Sequence, residues 1–274
     1  MTTPADDWSA VADAWDRQRD YVETHVAQAT ETLVAAADAH AGDRLLELAA
    51  GPGALASRWA SLVGPTGSVV ISDIAPGMLD VARRRVAGLD NVTVTGADVS
   101  SIDEPDESFD VAVCRMGLMF APDPEVAFAE IRRVLRSGGR LSAMTWGSID
   151  RNLWMACVGM AGMMHGVVAG DPPVGPGGVF SLGDAAQLTD LAQAAGFEDV
   201  VVHEIPVTFR ARSIPEHVDH VSSLAGPLAS AFEQATPEQL TAVHETVAVL
   251  AADHVTDDGV ALPGLALVLG ARAG

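Results

Sequence analysis

The chain has 274 residues, 49% hydrophobic and 5% aromatic, a balance that fills a folded core and excludes a disordered chain. Its 37 acidic residues against 16 basic ones leave a formal charge of −21, which turns away the phosphate backbone of nucleic acids. The two cysteines, Cys114 and Cys157, stand in apolar stretches without a CxxC or Cys/His cluster and read as small core residues of a reducing compartment.

The first residues, MTTPADDWSA, lack the basic and apolar regions of a secretory signal, so a cytoplasmic location is expected. Residues 8–40 place apolar positions at helical spacing and predict one or two helices. RLLELAA (44–50) reads as a buried strand, GPG as a turn, and ALASRWASLV (54–63) as a short helix. SVVISD (68–73) predicts a second strand, and Pro76 suits the first turn of the helix PGMLDVARRRVAG. NVTVTGAD (91–98) and FDVAVCRMG (109–117) predict a third and a fourth strand. DPEVAFAEIRRVLRSGG (123–139) predicts a helix with a glycine stop, and RLSAMTW (140–146) a fifth strand. This alternation argues a parallel sheet with crossover helices.

The pattern then loosens. LWMACVGMAGMMHGVVAG (153–170) is apolar, but glycines interrupt it and Asp171, Pro172 and Pro173 end it, which speaks against a membrane span. Asp184–Ala195 predicts a helix, DVVVHEIPVTF (199–209) a strand, 214–254 a helical stretch, and LALVLGA a last strand. The expected fold is α/β: a Rossmann-like, mainly parallel seven-stranded sheet with helices on both faces, an N-terminal helical lid and a helical insert before the last strand. A single domain, 1–274, divides into the lid (1–40), a cofactor-binding core (41–146), a Met/Gly-rich cap (147–180), the rest of the core (181–210 and 258–274) and the insert (211–257).

The turn from strand to helix at the carboxyl edge of a parallel sheet is where α/β proteins bind ligands. Its glycines let a ligand approach the backbone, and the helix start offers free N–H groups. Gly51-Pro52-Gly53-Ala54-Leu55-Ala56 matches the dinucleotide pattern GxGxxA, and Asp73 could hold a ribose, so an NAD(P)-dependent oxidoreductase fits the turn alone. Two acids favour another ligand. Glu47 lies inside the first strand, where a buried carboxylate needs a partner such as an ammonium group. Asp98 ends the third strand, where it can accept a proton from an exocyclic amine.

With ELAAGPG, the acids at the strand ends and VLRSGGRL before the fifth strand, the chain resembles the class I S-adenosylmethionine-dependent methyltransferases, in particular the UbiE/methyltransferase 11 small-molecule group. Ala49 stands where that family's first motif has its first glycine. The resemblance implies S-adenosyl-L-methionine as cofactor, with S-adenosyl-L-homocysteine as product. It implies that Glu47 sits near the amino-acid part of the cofactor, and that Ala49, Gly51 and Gly53 frame it by main chain. Asp73 would bind the ribose, with Ile74 and Met78 against the adenine and Asp98 and Val99 at its edge. Arg115 and Met116 would meet the methionine part by main chain, and Tyr21 of the lid joins this set. A relative that keeps the fold without methylating is the other alternative.

Methyl transfer asks the protein chiefly to align acceptor and methyl and to exclude water, so a lid is expected from the N-terminal helix and the insert near 206–258. The partner is a small-molecule acceptor, largely apolar; no nucleic acid is expected, and a homodimer is left open. Met155, Met160, Met163 and Met164 either line the acceptor pocket or are plain helix core. His25, His165, His217 and His220 are the candidate general bases, each weighed against an ordinary packing or surface role, with Tyr21 four residues from His25 on one helical face. His217 and His220, three apart, form too small a set for a metal site, and no metal is expected.

Overall fold

The computed structural model describes residues 3–274. Four short helices precede the sheet: α1 (Pro4–Ala10), α2 (Ala12–Arg17), α3 (Arg19–His25) and α4 (Ala27–Ala37). The expected one or two helices are thus broken at Val11, Gln18 and Val26, each with its backbone outside helical geometry, so that successive pieces wrap around the molecule. Next come β1 (Arg44–Leu48), α5 (Ala56–Val63), β2 (Ser68–Asp73), α6 (Pro76–Val86), β3 (Val92–Gly96), β4 (Phe109–Arg115), α7 (Pro124–Val134) and β5 (Leu135–Trp146). Leu45, Leu46, Val69, Ile71, Val111 and Val113 lose nearly all solvent contact, because helices cover both faces of the parallel strands.

The helix expected over 123–139 ends at Val134. Arg136–Gly139 instead bulge from the start of β5, where the register with β4 jumps from Phe109↔Leu135 to Val111↔Arg140. Gly138 takes φ +72° in that bulge, a value that favours glycine.

The remaining elements are α8 (Leu153–Met164), α9 (Ala185–Ala194), β6 (Phe197–Ala211), α10 (Ile214–Leu224), α11 (Gly226–Glu233), α12 (Pro237–Leu250), β7 (Val255–Thr256) and β8 (Gly259–Ala273). Among the described residues the sheet has eight strands in the order β3-β2-β1-β4-β5-β8-β6, with β7 paired to β8. It is parallel through β5 and antiparallel at β8. The two-residue β7 was not expected, and β8 begins before the apolar LALVLGA. Pro263 lies in this added part of β8, beyond the last residue paired to β5, where the strand has a ladder partner on one side and tolerates a missing N–H.

Two features of this topology position the site. The chain runs outward through β1, β2 and β3 and then returns to the other side of β1 as β4, which leaves a crevice between the carboxyl ends of β1 and β4. In addition, β6 and β8 outrun β5. Trp146 ends β5 opposite Ala266, which faces Ile205, so residues 206–211 of β6 continue beyond the sheet edge as one wall over it. No helix among the described residues is long and apolar enough to cross a membrane.

Candidate active site at the sheet switch point

After Leu48 the backbone turns through Ala49, Gly51 and Gly53, all at positive φ (49°, 55° and 72°). At Gly53 a Cβ would stand 3.2 Å from Ile71 Cδ1 and 3.4 Å from Ala82 Cβ, so this glycine lets the turn lie against α6. Across the crevice, Met116 also takes a positive φ (60°), and a Cβ on Gly117 would fall 2.2 Å from that of Ala49. The ends of β1 and β4 therefore approach as closely as their backbones permit.

Glu47 pairs in register with Ile71 of β2 and Val113 of β4. Asp73 and Arg115 lie two residues further along those strands, so all three share one face of the sheet. Glu47 is 2% exposed, and its Oε2 has no hydrogen-bond partner among the described residues. Burial pushes its pKa up from 4.5 to about 7; Arg115 and then the Trp59 indole oppose the rise, and Glu23 adds to it. The indole N–H faces the carboxyl without closing a hydrogen bond.

Asp73, 7% exposed, accepts from Gly51 N–H at 2.8 Å and from Ala75 N–H at 2.9 Å, one bond to each oxygen. Burial raises its pKa and the backbone donors of Ala75, Gly51 and Ile74 hold it down. Each oxygen keeps a second lone pair for a hydroxyl. Ile74 is 44% exposed beside it, and Met78 is buried with its Sδ 3.9 Å from where a Cβ on Gly51 would stand.

Asp73 pairs with Gly96, and half-buried Asp98 follows two residues later, its Oδ1 accepting from Ser100 N–H at 2.8 Å. Half-buried Val99 lies beside it. At ~4.8 Å per strand and ~3.3 Å per residue, Glu47, Asp73 and Asp98 descend a diagonal of roughly 16 Å across the sheet edge. An extended ligand with a cationic end and a polar far end matches that line.

The N-terminal helices are seated on this turn. Gly77 N–H at the start of α6 donates to Ser9 Oγ of α1 at 3.2 Å. Arg85 of α6 donates to the Pro52 carbonyl at 2.7 Å and pairs with Asp16 of α2. On the other side Trp15 Nε1 donates to the Leu224 carbonyl of α10 at 2.8 Å, and Gln18 Nε2 to Ser223 Oγ at 2.6 Å.

Beyond β5 stands a row of rings. Trp146 meets Trp154 edge-on at 5.1 Å, Trp154 stacks on Phe209 at 3.7 Å, Phe209 on His25 at 5.2 Å, and Tyr21 lies between His25 (4.4 Å) and His220 (3.8 Å). A cavity of about 280 Å³ opens at Tyr21, Arg210, Glu216 and His220, and a wider groove of about 760 Å³ continues past Gln18, Glu216 and Asp219. The Tyr21 hydroxyl is buried without a partner among the described residues, and burial, with Glu216 adding, pushes its pKa well above the ordinary phenol value.

The structure sorts the candidate bases. His25 is tied at both nitrogens: Nδ1 donates to the Tyr21 carbonyl at 2.7 Å, which leaves Nε2 to accept from Arg210 N–H at 3.0 Å. Burial lowers its pKa. His165 bonds Thr246 Oγ1 at 2.7 Å and joins α8 to α12. His217 is fully buried against the Trp154 carbonyl at 2.6 Å, with its pKa pushed down to about 4 by burial. His220 differs. Because Gln18 Nε2 donates to Ser223, Gln18 Oε1 accepts from His220 Nδ1, and Nε2 keeps its lone pair.

Along α8 the small residues Ala156, Cys157, Ala161 and Gly162 pack inward while Met160 and Met164 are exposed, so those two methionines are not helix core. Sequence reasoning missed the row Trp146–Trp154–Phe209, whose members lie on three separate elements. It also missed the Arg115 side chain, which pairs with Glu23 of α3 at 2.6 Å.

A Rossmann-like sheet with its glycine turn and acids at this switch point defines the cofactor fold of small-molecule methyltransferases. The chain belongs to the class I S-adenosylmethionine-dependent methyltransferases. Residues 45–139 match the family described as methyltransferase domain. A ubiquinone/menaquinone biosynthesis C-methyltransferase UbiE of Stutzerimonas stutzeri is 33% identical over 177 residues, 60% of this chain and 68% of that protein. The UbiE protein of Teredinibacter turnerae is 37% identical over 115 residues, 41% of this chain and 46% of its own length, so the match spans less than half of that relative. The YcgJ protein of Bacillus subtilis shares the fold at a TM-score of 0.59 and 16% identity, covering 88% of this chain and 96% of that one. Membership of this family removes the nicotinamide reading of the glycine turn.

Proposed function

We propose that this protein transfers a methyl group from S-adenosylmethionine to a small, largely apolar acceptor bound beside the sheet switch point. The observation that carries the reading is Glu47: a buried carboxyl with an unpartnered oxygen, on the face it shares with Asp73 and Arg115. Buried acids are retained where something pairs with them, and an ammonium group fits. The residues present fit the cofactor. Glu47 takes its ammonium, Ala49, Gly51 and Gly53 contact it by main chain, and Asp73 holds the ribose hydroxyls. Ile74 and Met78 flank the adenine, Asp98 and Val99 meet its edge, and Arg115 and Met116 border the methionine part, with Tyr21 closing over it. When bound, the sulfonium supplies an activated methyl group.

The chain's own work is alignment and exclusion of water. α1 and α2 are clasped to the turn and to α10, and the buried, mutually packed rings of Trp146, Trp154 and Phe209 brace the wall beyond β5. The match to the family domain ends at residue 139, ahead of Trp146, Trp154 and Phe209, so this wall lies outside the part shared with that domain. The relatives' names point to quinone precursors as a first acceptor class to try. Where the acceptor must lose a proton, the base we assign is His220, whose Nε2 keeps a lone pair; His25 has none to spare.

Incubation with methyl-labelled S-adenosylmethionine and a panel of phenols, quinols and aliphatic acids tests the proposal. Transfer to an apolar member supports it. Tight S-adenosylhomocysteine binding with no transfer across the panel would favour a relative that keeps the fold without methylating.

A further inference from the structure

Arg115 closes β4 with a side chain 9% exposed. On the lid side its Nη2 and Nη1 donate to Oε1 and Oε2 of Glu23 at 2.6 and 2.9 Å, and Nη1 also donates to Thr30 Oγ1 of α4 at 3.1 Å. On the sheet side lies Glu47, on the neighbouring strand and the same face. The planar fork of a guanidinium serves one carboxylate bidentately, and here it is spent on Glu23. Glu47 Oε2 is left unpaired for that reason.

Two acids around one guanidinium form the inverse of an α-amino acid: an ammonium for the unpaired Glu47, a carboxylate for Arg115. Glu23 supplies that carboxylate from within the protein. It sits on the short lid helix α3 with its side chain 31% exposed, so it can turn to water at small desolvation cost, as sealed Glu47 cannot. We propose that the Arg115 side chain is a positioning residue for the α-carboxylate of the cofactor, and that Glu23 is an internal competitor occupying the guanidinium until that carboxylate displaces it. This rests on the cofactor reading above, and it gives Arg115 a side-chain role beyond main-chain contact.

Calorimetric titration of the full chain with two probes tests it: S-adenosylhomocysteine, which carries the amino-acid group, and 5′-methylthioadenosine, which lacks it. Glu23→Gln is expected to tighten S-adenosylhomocysteine roughly three- to tenfold, the scale of releasing a partly exposed ion pair, with methylthioadenosine unchanged. Arg115→Met is expected to weaken S-adenosylhomocysteine about tenfold or more and again leave methylthioadenosine unchanged, with Arg115→Lys in between. Retained methylthioadenosine binding also reports that each variant is folded.

Unchanged or weaker S-adenosylhomocysteine binding by Glu23→Gln, with methylthioadenosine intact, overturns the competitor role. Equal losses for both probes in Arg115→Met overturn the carboxylate role. A wild-type protein that binds neither probe removes the cofactor reading itself, a result distinct from both.

Discussion

Glu47 is the residue on which the site's electrostatics turn. Its carboxyl is sealed under the glycine turn, and the nearest cation, Arg115, is already engaged by Glu23. The folded pKa of about 7 lies above the ordinary 4.5, so between these values the folded chain binds more protons than the unfolded one. The stabilisation is complete below about pH 4.5 and is lost as pH rises through 7, by ~3 kcal/mol at most. Urea unfolding of the ligand-free protein across that window is expected to show this decline, and Glu47→Gln, which keeps the shape and removes the titration, is expected to flatten it. A steeper or equal slope in the variant would contradict the assignment.

Gly117 makes a second residue-scale case. A methyl there would overlap Ala49 Cβ at 2.2 Å, so Gly117→Ala is expected to destabilise by about 1–3 kcal/mol, read as a lowered unfolding midpoint. The two histidines differ in their hydrogen bonds, His25 being tied at both nitrogens and His220 at one. His220→Asn is expected to slow turnover, most for acceptors that must be deprotonated, and His25→Asn to lower the melting temperature by releasing Arg210 and Tyr21.

At the scale of elements, polar clasps reinforce a small apolar contact between the first helices and α6, where Val11 and Ala12 pack with Ala75, Met78 and Val81. Arg85 reaches both the Pro52 carbonyl and Asp16, and Ser9 meets Gly77. Such contacts on partly exposed groups are individually weak, as the proposed lid role requires. Arg85→Ala is expected to speed proteolytic cleavage within residues 4–25 severalfold while leaving β1–β5 intact, as limited digestion followed by mass spectrometry would show. Cleavage no faster than in the unaltered protein would locate the lid's hold elsewhere.

The strands are legible from sequence because both faces of a parallel sheet are buried, and RLLEL, SVVISD and FDVAVCR are correspondingly apolar. The bulge at Arg136–Gly139 is not legible, since polar residues and two glycines read equally well as a helix stop. The breaks between α1 and α4 fall at Val11, Gln18 and Val26, none a helix breaker, so they follow from tertiary wrapping that no local pattern encodes.

For the molecule as a whole, the division follows the same logic. Residues near the turn carry local signals: glycines where φ is positive, acids where strands end. Such signals suffice to put Glu47, Asp73 and Asp98 on adjacent strand ends, where the sheet register has them. The row of rings draws Tyr21 from α3, Trp146 from β5, Trp154 from α8, Phe209 from β6 and His220 from α10, and no spacing along the chain relates residues so far apart. The charge of −21 adds a global bias, since it repels anionic acceptors and leaves neutral ones unaffected.

The most direct test is a crystal structure grown with saturating S-adenosylhomocysteine. The amino group is expected within hydrogen-bond distance of Glu47, the ribose hydroxyls on Asp73 and the adenine beside Asp98, with the sulfur facing the row of rings. Ligand bound elsewhere on the chain, or a switch point that stays empty at saturation, would contradict the account.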